Sequence, residues 1–293
     1  MTTRRRRVRV PASSANLGPG YDVLAAAMSL WLDVEVSETG SFEVDAPELG
    51  DAVAIDRSNL CVRAFERLRP ADGLRFRIES EIPLARGLGS SASAIVAGLM
   101  AADHMYELGL SKRDIFREAV AIEGHPDNVA AATFGGFALC AAEGSADPVR
   151  IAPPDGIEAI VAIPAEEVST AAARAAMPAA VAVADAVANV AATGRLVLGL
   201  ERSDPGLISQ GLGDRLHQPA RAELYPRSIE LVEKATSFGA LGATISGAGP
   251  TVLVWSFWQD TGRVLAAVEA WAGEWAEVRR VPFSPLGADV VEL

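Results

Sequence analysis

Lysine is almost absent from this sequence: its 26 basic residues include only two lysines, Lys112 and Lys234. A phosphate-binding loop of the Walker type requires a Gly-Lys-Ser or Gly-Lys-Thr sequence. Neither lysine lies in such a sequence, which excludes that loop. If the protein handles phosphate, it must bind it with glycine backbone, helix termini, metal ions or arginine.

Cysteine and histidine are scarce as well. The two cysteines, Cys61 and Cys140, lie in unrelated sequence contexts, and the three histidines form no His-x-x-x-His pair. This pattern excludes a disulfide framework and offers no zinc-binding spacing. A chain of 293 residues is long enough to bury a core without either device.

Long apolar runs and excess positive charge are missing too. The most apolar stretch, 175–192, contains Pro178 and Asp185 and falls short of the ~18 uninterrupted apolar residues of a membrane span. The arginines at 4–7 precede no run of signal-peptide length. A net charge of −12 disfavours binding to nucleic acid or an anionic membrane. We expect a cytoplasmic protein with small-molecule partners, and its oligomeric state stays open, a homodimer included.

Strand and helix patterns are plentiful and alternate along the chain. Residues 74–79 alternate apolar and polar side chains as a half-buried strand does, and residues 90–105 form an alanine-rich helical stretch. We predict a turn-rich segment over 11–20 and one long helix over 169–200. This alternation predicts an α+β protein in which each half is a sheet layered with helices.

A domain boundary is predicted near residues 147–155, where three prolines cluster. The length of the chain also suggests two domains, at ~150 residues each. We therefore predict an N-terminal domain of residues 1–155 and a C-terminal domain of residues 156–293.

The strongest local motif leads from a predicted strand through two glycines into the helix that starts near Ser90. Glycine backbone can approach an anion closely, and a helix start presents unpaired N–H groups and a positive dipole. Serine hydroxyls suit phosphate or Mg²⁺, which prefers oxygen ligands. The motif predicts a phosphate-binding loop without lysine, although an ordinary glycine turn capped by serine shares these features. Its residues are Pro83, Leu84, Ala85, Arg86, Gly87, Leu88, Gly89, Ser90, Ser91 and Ala92.

Two other loops combine glycine with polar residues. In residues 11–22, Asn16 and Asp22 offer an amide and a carboxylate that suit an amino or hydroxyl group of a polar substrate. Residues 245–251 read Ile-Ser-Gly-Ala-Gly-Pro-Thr, and we predict that this loop closes over the site from the second domain. Taken alone, each loop is also compatible with an ordinary turn.

A fourth polar cluster interrupts an apolar stretch at residues 122–130. It contains Glu123, His125, Asp127 and Asn128. Burial of these groups without partners would cost on the order of several kcal/mol. They must therefore either face solvent or form a site.

Together, in this order and at these distances, the four segments resemble the GHMP kinase superfamily, and within it the branch that phosphorylates homoserine. The resemblance extends from residue 8 to about residue 257. It implies a two-domain GHMP kinase fold, with an N-terminal ATP domain like ribosomal protein S5 and a C-terminal ferredoxin-like α/β sandwich. The stretches that carry it are Ala15–Asp22, Gly87–Ala92, Glu123–Ala130, Asp214–Pro219 followed by Arg221, and Ser246–Thr251.

The resemblance implies that ATP and Mg²⁺ bind in the first domain. Asn59 and Leu60 would lie near the base, and the glycine loop would surround the phosphates. Ser91 and Glu123 would hold the metal, and a carboxylate with a hydroxyl suits that ion.

The implied substrate is homoserine, and the implied product is O-phosphohomoserine, on the route to threonine. Asp22 suits the α-ammonium. Arg174 and Arg221 can bind the α-carboxylate through paired hydrogen bonds, or one of them can instead reach the γ-phosphate. Asn128 stands where several members of the superfamily carry an aspartate base, so we expect it to orient the hydroxyl. Catalysis is assigned to Asn128, Arg174 and Arg221, with the roles of the two arginines undivided. The implied substrate contacts are Asn16, Asp22, His125, Asn128, Thr170, Arg174, Arg221 and Gly247.

Two departures from the family pattern leave room for another short hydroxy amino acid. Residues 24–28 are unusually rich in alanine, and Ala220 stands where an aromatic residue often precedes the arginine. Two alternatives stay open: a kinase of another small alcohol such as mevalonate, and a non-catalytic relative that senses a nucleotide or metabolite. The amino-acid-suited charges argue against the first, and the intact metal-binding serine and glutamate argue against the second.

Overall fold

A computed structural model describes residues 4–142 and 146–291 of the chain. The strands in these ranges form a seven-stranded and a four-stranded sheet. They are β1 (Arg5–Ala15), β2 (Leu24–Glu38), β3 (Glu43–Asp45), β4 (Leu74–Ser80), β5 (Phe137–Leu139), β6 (Val149–Ile151), β7 (Ile157–Pro164), β8 (Gly242–Ile245), β9 (Val252–Phe257), β10 (Ala276–Arg280) and β11 (Asp289–Val291). The α-helices are α1 (Leu60–Glu66), α2 (Ser90–Tyr106), α3 (Lys112–Glu123), α4 (Asp127–Phe134), α5 (Thr170–Ala175), α6 (Val183–Arg202), α7 (Pro205–Gly211), α8 (His217–Ala220), α9 (Pro226–Lys234) and α10 (Thr261–Ala272).

The first sheet is built around the long antiparallel pair of β1 and β2. Its order is β11-β1-β2-β4-β3, and β5 pairs with both β2 and β6. One face is buried with helices α1 to α4, in a core that includes Val34, Phe65 and Leu99. The other face carries ion pairs such as Arg9 to Asp33 at 2.9 Å. This one-sided burial explains the alternating pattern of these strands.

The turn predicted over 11–20 begins only at Asn16, because β1 continues through Ala15. Residues 11–15 pair with β2, and Ser13 and Ser14 on this stretch are fully buried where α2 and α4 pack. Small side chains let these helices lie close to the strand, so burial overrides the turn preference of the sequence. The strand consequently delivers the following loop, from Asn16 onward, directly to the space between the domains.

The second sheet has the order β10-β7-β9-β8. Ile160, Leu231, Val254 and Val264 form a core between this sheet and the helices α9 and α10. The strand order and the placement of helices after the first and third strands are those of a ferredoxin-like fold. The α+β class and the two-sheet architecture implied by the resemblance are therefore confirmed.

The last described residues return to the first sheet. β11 pairs antiparallel with β1, with Val291 opposite Arg7. Just before it, Phe283 contacts Phe137 and Trp255, with ring centroids 4.7 and 5.2 Å apart. The final strand thus covers the edge of β1 and belongs to the first sheet.

The helix predicted over 169–200 is divided into α5 and α6, with residues 176–182 between them. Pro178 lies in this interval, where its ring removes a donor and disfavours a helical residue before it. Within the described ranges, α6 has the length and mean hydropathy, 1.3, that a membrane-crossing helix requires. Leu196 and Leu200 are nevertheless buried, and α6 packs against α7.

Candidate active site

One cavity lies where the four polar segments meet, between the two domains. The first domain contributes the loop after β1, the start of α2 and the junction of α3 and α4, while the second contributes α5, the end of α8 and the loop after β8. Tyr21 and Asp127, which the sequence did not single out as contacts, line it as well. The predicted residues that line it are Asn16, Asp22, Gly87, Gly89, Ser90, Ser91, Glu123, His125, Asn128, Thr170, Arg174, Arg221 and Gly247.

The glycine loop adopts a conformation that glycine alone accommodates at two places. Gly87 and Gly89 have φ angles of 77° and 70°. A Cβ at Gly87 would stand 2.2 Å from the Ser246 carbonyl oxygen, and one at Gly89 would stand 2.0 Å from the Ser13 hydroxyl. Gly89 begins α2 without a side-chain cap. The first N–H groups of α2 are therefore available to an anion in the cavity.

Ser91 and Glu123 meet at the edge of this loop. The Ser91 hydroxyl donates to Glu123 Oε2 over 2.7 Å. Burial raises the pKa of Glu123, and the Ser91 hydrogen bond partly opposes that shift. In the described part of the chain no three His, Cys, Asp or Glu side chains cluster as a metal site. These two oxygen donors fit Mg²⁺ only together with ligand oxygens such as those of a phosphate.

A second, more apolar cavity adjoins the glycine loop and shares Ser90 and Ser91 with the first cavity. Asn59 and Leu60 line this cavity, and the Asn59 side chain caps α1 by accepting from the Cys61 N–H. The two residues predicted near a nucleotide base are thus placed beside the predicted phosphate loop.

Four residues of the predicted phosphate motif are not brought to either cavity: Pro83, Arg86, Leu88 and Ala92. Leu88 and Ala92 belong to the hydrophobic core. The Arg86 guanidinium donates to the Pro164 carbonyl over 2.8 Å and pairs with Glu167 at 2.9 Å. Arg86 therefore fastens the loop to the end of β7, which sequence spacing could not reveal.

Asp22 and Arg174 form an ion pair across the domain boundary. The two guanidinium Nη atoms donate to the two carboxylate oxygens over 2.9 and 3.1 Å. Asp22 has a φ of 56°, and its N–H donates to Asn16 Oδ1 over 3.0 Å. Both charged groups remain more than a third exposed, so a polar ligand can reach and separate them.

Arg221, in contrast, is 2% exposed and held from several sides. Its Nε donates to the Ala173 carbonyl over 2.9 Å, and its Nη1 donates to the Gly247 carbonyl over 3.3 Å. Its Nη2 lies 3.5 Å from the Tyr21 hydroxyl. Arg221 lines the cavity, so a ligand there can approach its guanidinium.

Hydrogen bonds between the Asn16 loop and Gly247 join the two domains. The Asn16 Nδ2 donates to the Gly247 carbonyl over 2.7 Å, and the Gly247 N–H donates to the Ala15 carbonyl over 3.0 Å. The Asn16 Oδ1 already accepts from Asp22. These bonds fix the loop, and the second Nδ2 hydrogen of Asn16 can still face the cavity that the residue lines.

Asn128 points its amide into the cavity with one end fixed. Its Oδ1 accepts from the Ser13 hydroxyl over 2.8 Å, which leaves Nδ2 to donate to a ligand. Its backbone N–H donates to Asp127 over 2.7 Å. Burial raises the pKa of Asp127 to about 7. Burial and the nearby Arg174 lower the pKa of His125, which favours its neutral form, whereas Asp127 gains or loses its proton near neutral pH.

Sequence reasoning assigned no individual role to three polar residues of the site: Ser13, Tyr21 and Asp127. Tyr21 lies between the two arginines, with its hydroxyl 3.4 Å from an Arg174 nitrogen and its ring 5.2 Å from the Arg221 guanidinium. Each belongs to a motif that was recognised, but its role depends on partners distant in sequence. The adjacency of Asp127 to Asn128 is the one local signal that could have indicated it.

Comparison with known proteins defines the class. The family model for the GHMP kinases N terminal domain matches residues 59–136, and the model for GHMP kinases C terminal matches residues 196–277. A crystal structure of mevalonate kinase shares the fold, with a TM-score of 0.72 and 16% identity over 95% of this chain and 99% of that chain. The two family models and the fold show that the chain is a GHMP kinase.

The full-length relatives identify the branch. The homoserine kinase of Nostoc punctiforme is 39% identical over 96% of each chain, and that of Prochlorococcus marinus is 40% identical over 91% of this chain and 89% of the relative. The homoserine kinase structure from Cytophaga hutchinsonii has a TM-score of 0.88 at 27% identity, over 98% of this chain and 97% of that chain. The chain belongs to the homoserine kinase family.

Proposed function

We propose that the protein transfers the γ-phosphoryl group of ATP to the side-chain hydroxyl of L-homoserine. The observation that carries the proposal is the juxtaposition of the Asp22–Arg174 pair and the fixed Arg221 with Asn128 and the glycine loop in one cavity. Opposite charges suit the ammonium and carboxylate of an amino acid, and the uncapped helix start suits phosphate.

At the nucleotide end, the start of α2 would bind phosphate oxygens through backbone N–H groups, with the base in the cavity beside Asn59 and Leu60. Ser91 and Glu123 would hold Mg²⁺, which supplies charge neutralisation to the phosphates when bound. Glu123 must lose any proton to bind the ion, and the raised pKa caused by its burial makes this step sensitive to pH.

At the amino-acid end, the substrate would replace one internal ion pair by two intermolecular ones. Its ammonium would pair with Asp22 and its carboxylate with Arg174, so each side chain exchanges its present partner. The Arg221 guanidinium, held by the Ala173 and Gly247 carbonyls, would bind the same carboxylate from a fixed direction. This arrangement divides the roles that the sequence left undivided: Arg174 is the exchangeable arginine, and Arg221 is the fixed one.

Positioning would dominate the chemistry. With Oδ1 held by Ser13, Asn128 presents Nδ2 to the oxygen of the substrate hydroxyl and aims it at the γ-phosphorus. The new O–P bond forms as the bond between the γ-phosphorus and the bridging oxygen breaks, and the hydroxyl proton leaves with a transferred phosphoryl oxygen or to solvent. An amide cannot accept this proton at neutral pH, in keeping with phosphoryl transfer that relies on orientation and electrostatics.

A coupled assay of ADP release tests the proposal. Homoserine, serine, threonine and mevalonate are compared at equal concentration with ATP and Mg²⁺. We expect turnover that depends on homoserine and is at least about a hundredfold weaker with mevalonate, which lacks the ammonium that Asp22 requires. Equal turnover with mevalonate, or ATP binding without turnover of any alcohol, would overturn it.

A further inference from the structure

We propose that His217 is a positioning residue for substrate binding, because its neutral imidazole joins the fixed arginine, Arg221, to the loop that carries Asp22. The proposal rests on the proposed function and adds a residue to which neither the motif nor the comparisons assign a role. His217 is fully buried and lies one turn before Arg221 on α8.

The two ring nitrogens of His217 have different partners. Nε2 lies 2.8 Å from the Gly18 carbonyl oxygen, and Nδ1 lies 3.4 Å from Arg221 Nη1. A carbonyl only accepts and a guanidinium only donates. The neighbours therefore require a proton on Nε2 and a lone pair on Nδ1, which is one specific neutral tautomer.

The Asp214 carboxylate fixes the backbone around His217. Its carboxylate accepts the backbone N–H groups of Leu216, His217 and Gln218 over 2.7 to 3.0 Å. It also accepts from the Asn189 side chain over 2.7 Å. These four donors fix the start of α8, so the direction in which the imidazole points is set by the backbone.

Through its contacts with Gly18 and Arg221, His217 connects the loop that carries Asp22 with the arginine side of the proposed substrate site. Gly18 belongs to the loop between Asn16 and Asp22, where a Cβ at Gly18 would stand 2.5 Å from the Leu212 carbonyl. Arg221 reaches the residue before Arg174 through the Ala173 carbonyl. A substitution at His217 should therefore alter the position of Arg221 and of the loop that carries Asp22, although His217 does not contact the proposed substrate.

The surroundings keep the imidazole neutral. Burial lowers the pKa of His217, Arg221 adds to that effect, and Asp214, the Gly18 carbonyl and Asp22 oppose it. A second ring proton on Nδ1 would face the guanidinium, where two donors meet with no acceptor between them. The geometry and the charges consequently favour the same tautomer.

Paired substitutions test the role. His217→Phe retains a flat ring without hydrogen bonds, whereas His217→Gln retains a donor and an acceptor on one side chain. We expect His217→Phe to raise the KM for homoserine by about tenfold, with the KM for ATP within about twofold of wild type, and His217→Gln to restore most of the difference. The matched controls are the same two changes at His104, which lies on α2 and is 40% exposed.

Equal KM values for homoserine in wild type and His217→Phe would overturn the proposal, as would equal loss in both His217 variants. Should His217→Phe fail to fold, ¹⁵N NMR of the wild-type ring decides. We expect a neutral ring at pH 7 with the proton on Nε2, and a shift of the Nδ1 resonance in Arg221→Lys. A proton on Nδ1 would overturn it. Absence of homoserine-dependent turnover in wild type would instead overturn the proposed function, and the NMR result would still decide the tautomer.

Discussion

The two ends of the cavity are built in different ways. The nucleotide end consists of backbone N–H groups, hydroxyls and one carboxylate, all from the first domain. The amino-acid end consists of ionised side chains from both domains, with Asp22 opposite Arg174 and Arg221. The proposed phosphate site is therefore built within the first domain, whereas the proposed amino-acid site depends on how the two domains meet.

Among the substitutions proposed here, we expect the change at Glu123, at the nucleotide end, to cause the largest loss of activity. Glu123→Gln keeps the contact with Ser91 but removes the charge proposed to bind Mg²⁺, and we expect kcat/KM to fall by about a thousandfold or more. Steady-state kinetics across Mg²⁺ concentrations measure this loss. Glu118→Gln, on the same helix and paired with Arg67 at 3.1 Å, is the control. Near-normal activity of Glu123→Gln would remove Glu123 from the metal site.

Asp127 lies between the two ends of the cavity, and its burial should make the free energy of unfolding depend on pH. Burial raises its pKa from 3.8 to about 7, so between these values the folded protein retains a proton that the unfolded chain has lost. The free energy of unfolding should therefore fall as pH rises through this window. Relative to Asp127→Asn, wild type should lose up to about 4 kcal/mol between pH 4 and pH 7.5. Urea unfolding across this range measures it, and parallel curves for the two proteins would contradict it.

At the amino-acid end, the fixed and the exchangeable arginine should respond differently. Arg221→Lys removes a buried fork bound to the Ala173 and Gly247 carbonyls, and we expect kcat/KM for homoserine to fall about a hundredfold together with a lower Tm. Arg174→Lys should cost about tenfold with an unchanged Tm, because its site is half exposed. Arg195→Lys on the exposed face of α6 serves as control. Equal effects on Tm would show that the distinction is wrong.

The smallest expected effect is at Tyr21. Tyr21→Phe removes only the hydroxyl that lies 3.4 and 3.5 Å from the two arginines, and these long contacts are weak. We expect the KM for homoserine to rise about threefold, with kcat and the KM for ATP unchanged. A larger loss in kcat would mean that the hydroxyl acts in the reaction rather than between the arginines.

Sequence could predict what is local. The glycine loop and the start of α2 depend on neighbours within a few residues, and both are recognisable from the sequence. The strand through Ser13 and Ser14 was read as a turn, because its burial depends on helices far along the chain. Likewise, the position of Arg86 in the glycine motif predicts a phosphate contact, but its guanidinium donates a hydrogen bond to the Pro164 carbonyl.

The polar contacts at the amino-acid end were harder to predict for the same reason. Asn16 is predicted as a substrate contact, and while it lines the cavity, its amide also bonds to the Gly247 carbonyl and the Asp22 N–H. The return of β11 to the first sheet also has no local signature, since the pairing partner of a short edge strand is decided by the whole fold. Residue types identified the charges of the site, and only tertiary contacts showed which of them remain free.

The central claim is that the cavity recognises a zwitterion by exchange of the Asp22–Arg174 pair. The most direct test compares kcat/KM for homoserine and for 4-hydroxybutanoate, which is homoserine without its amino group, in wild type and in Asp22→Asn. We expect wild type to prefer homoserine by about a hundredfold or more, and Asp22→Asn to reduce that preference at least about tenfold. An undiminished preference in Asp22→Asn would contradict the claim.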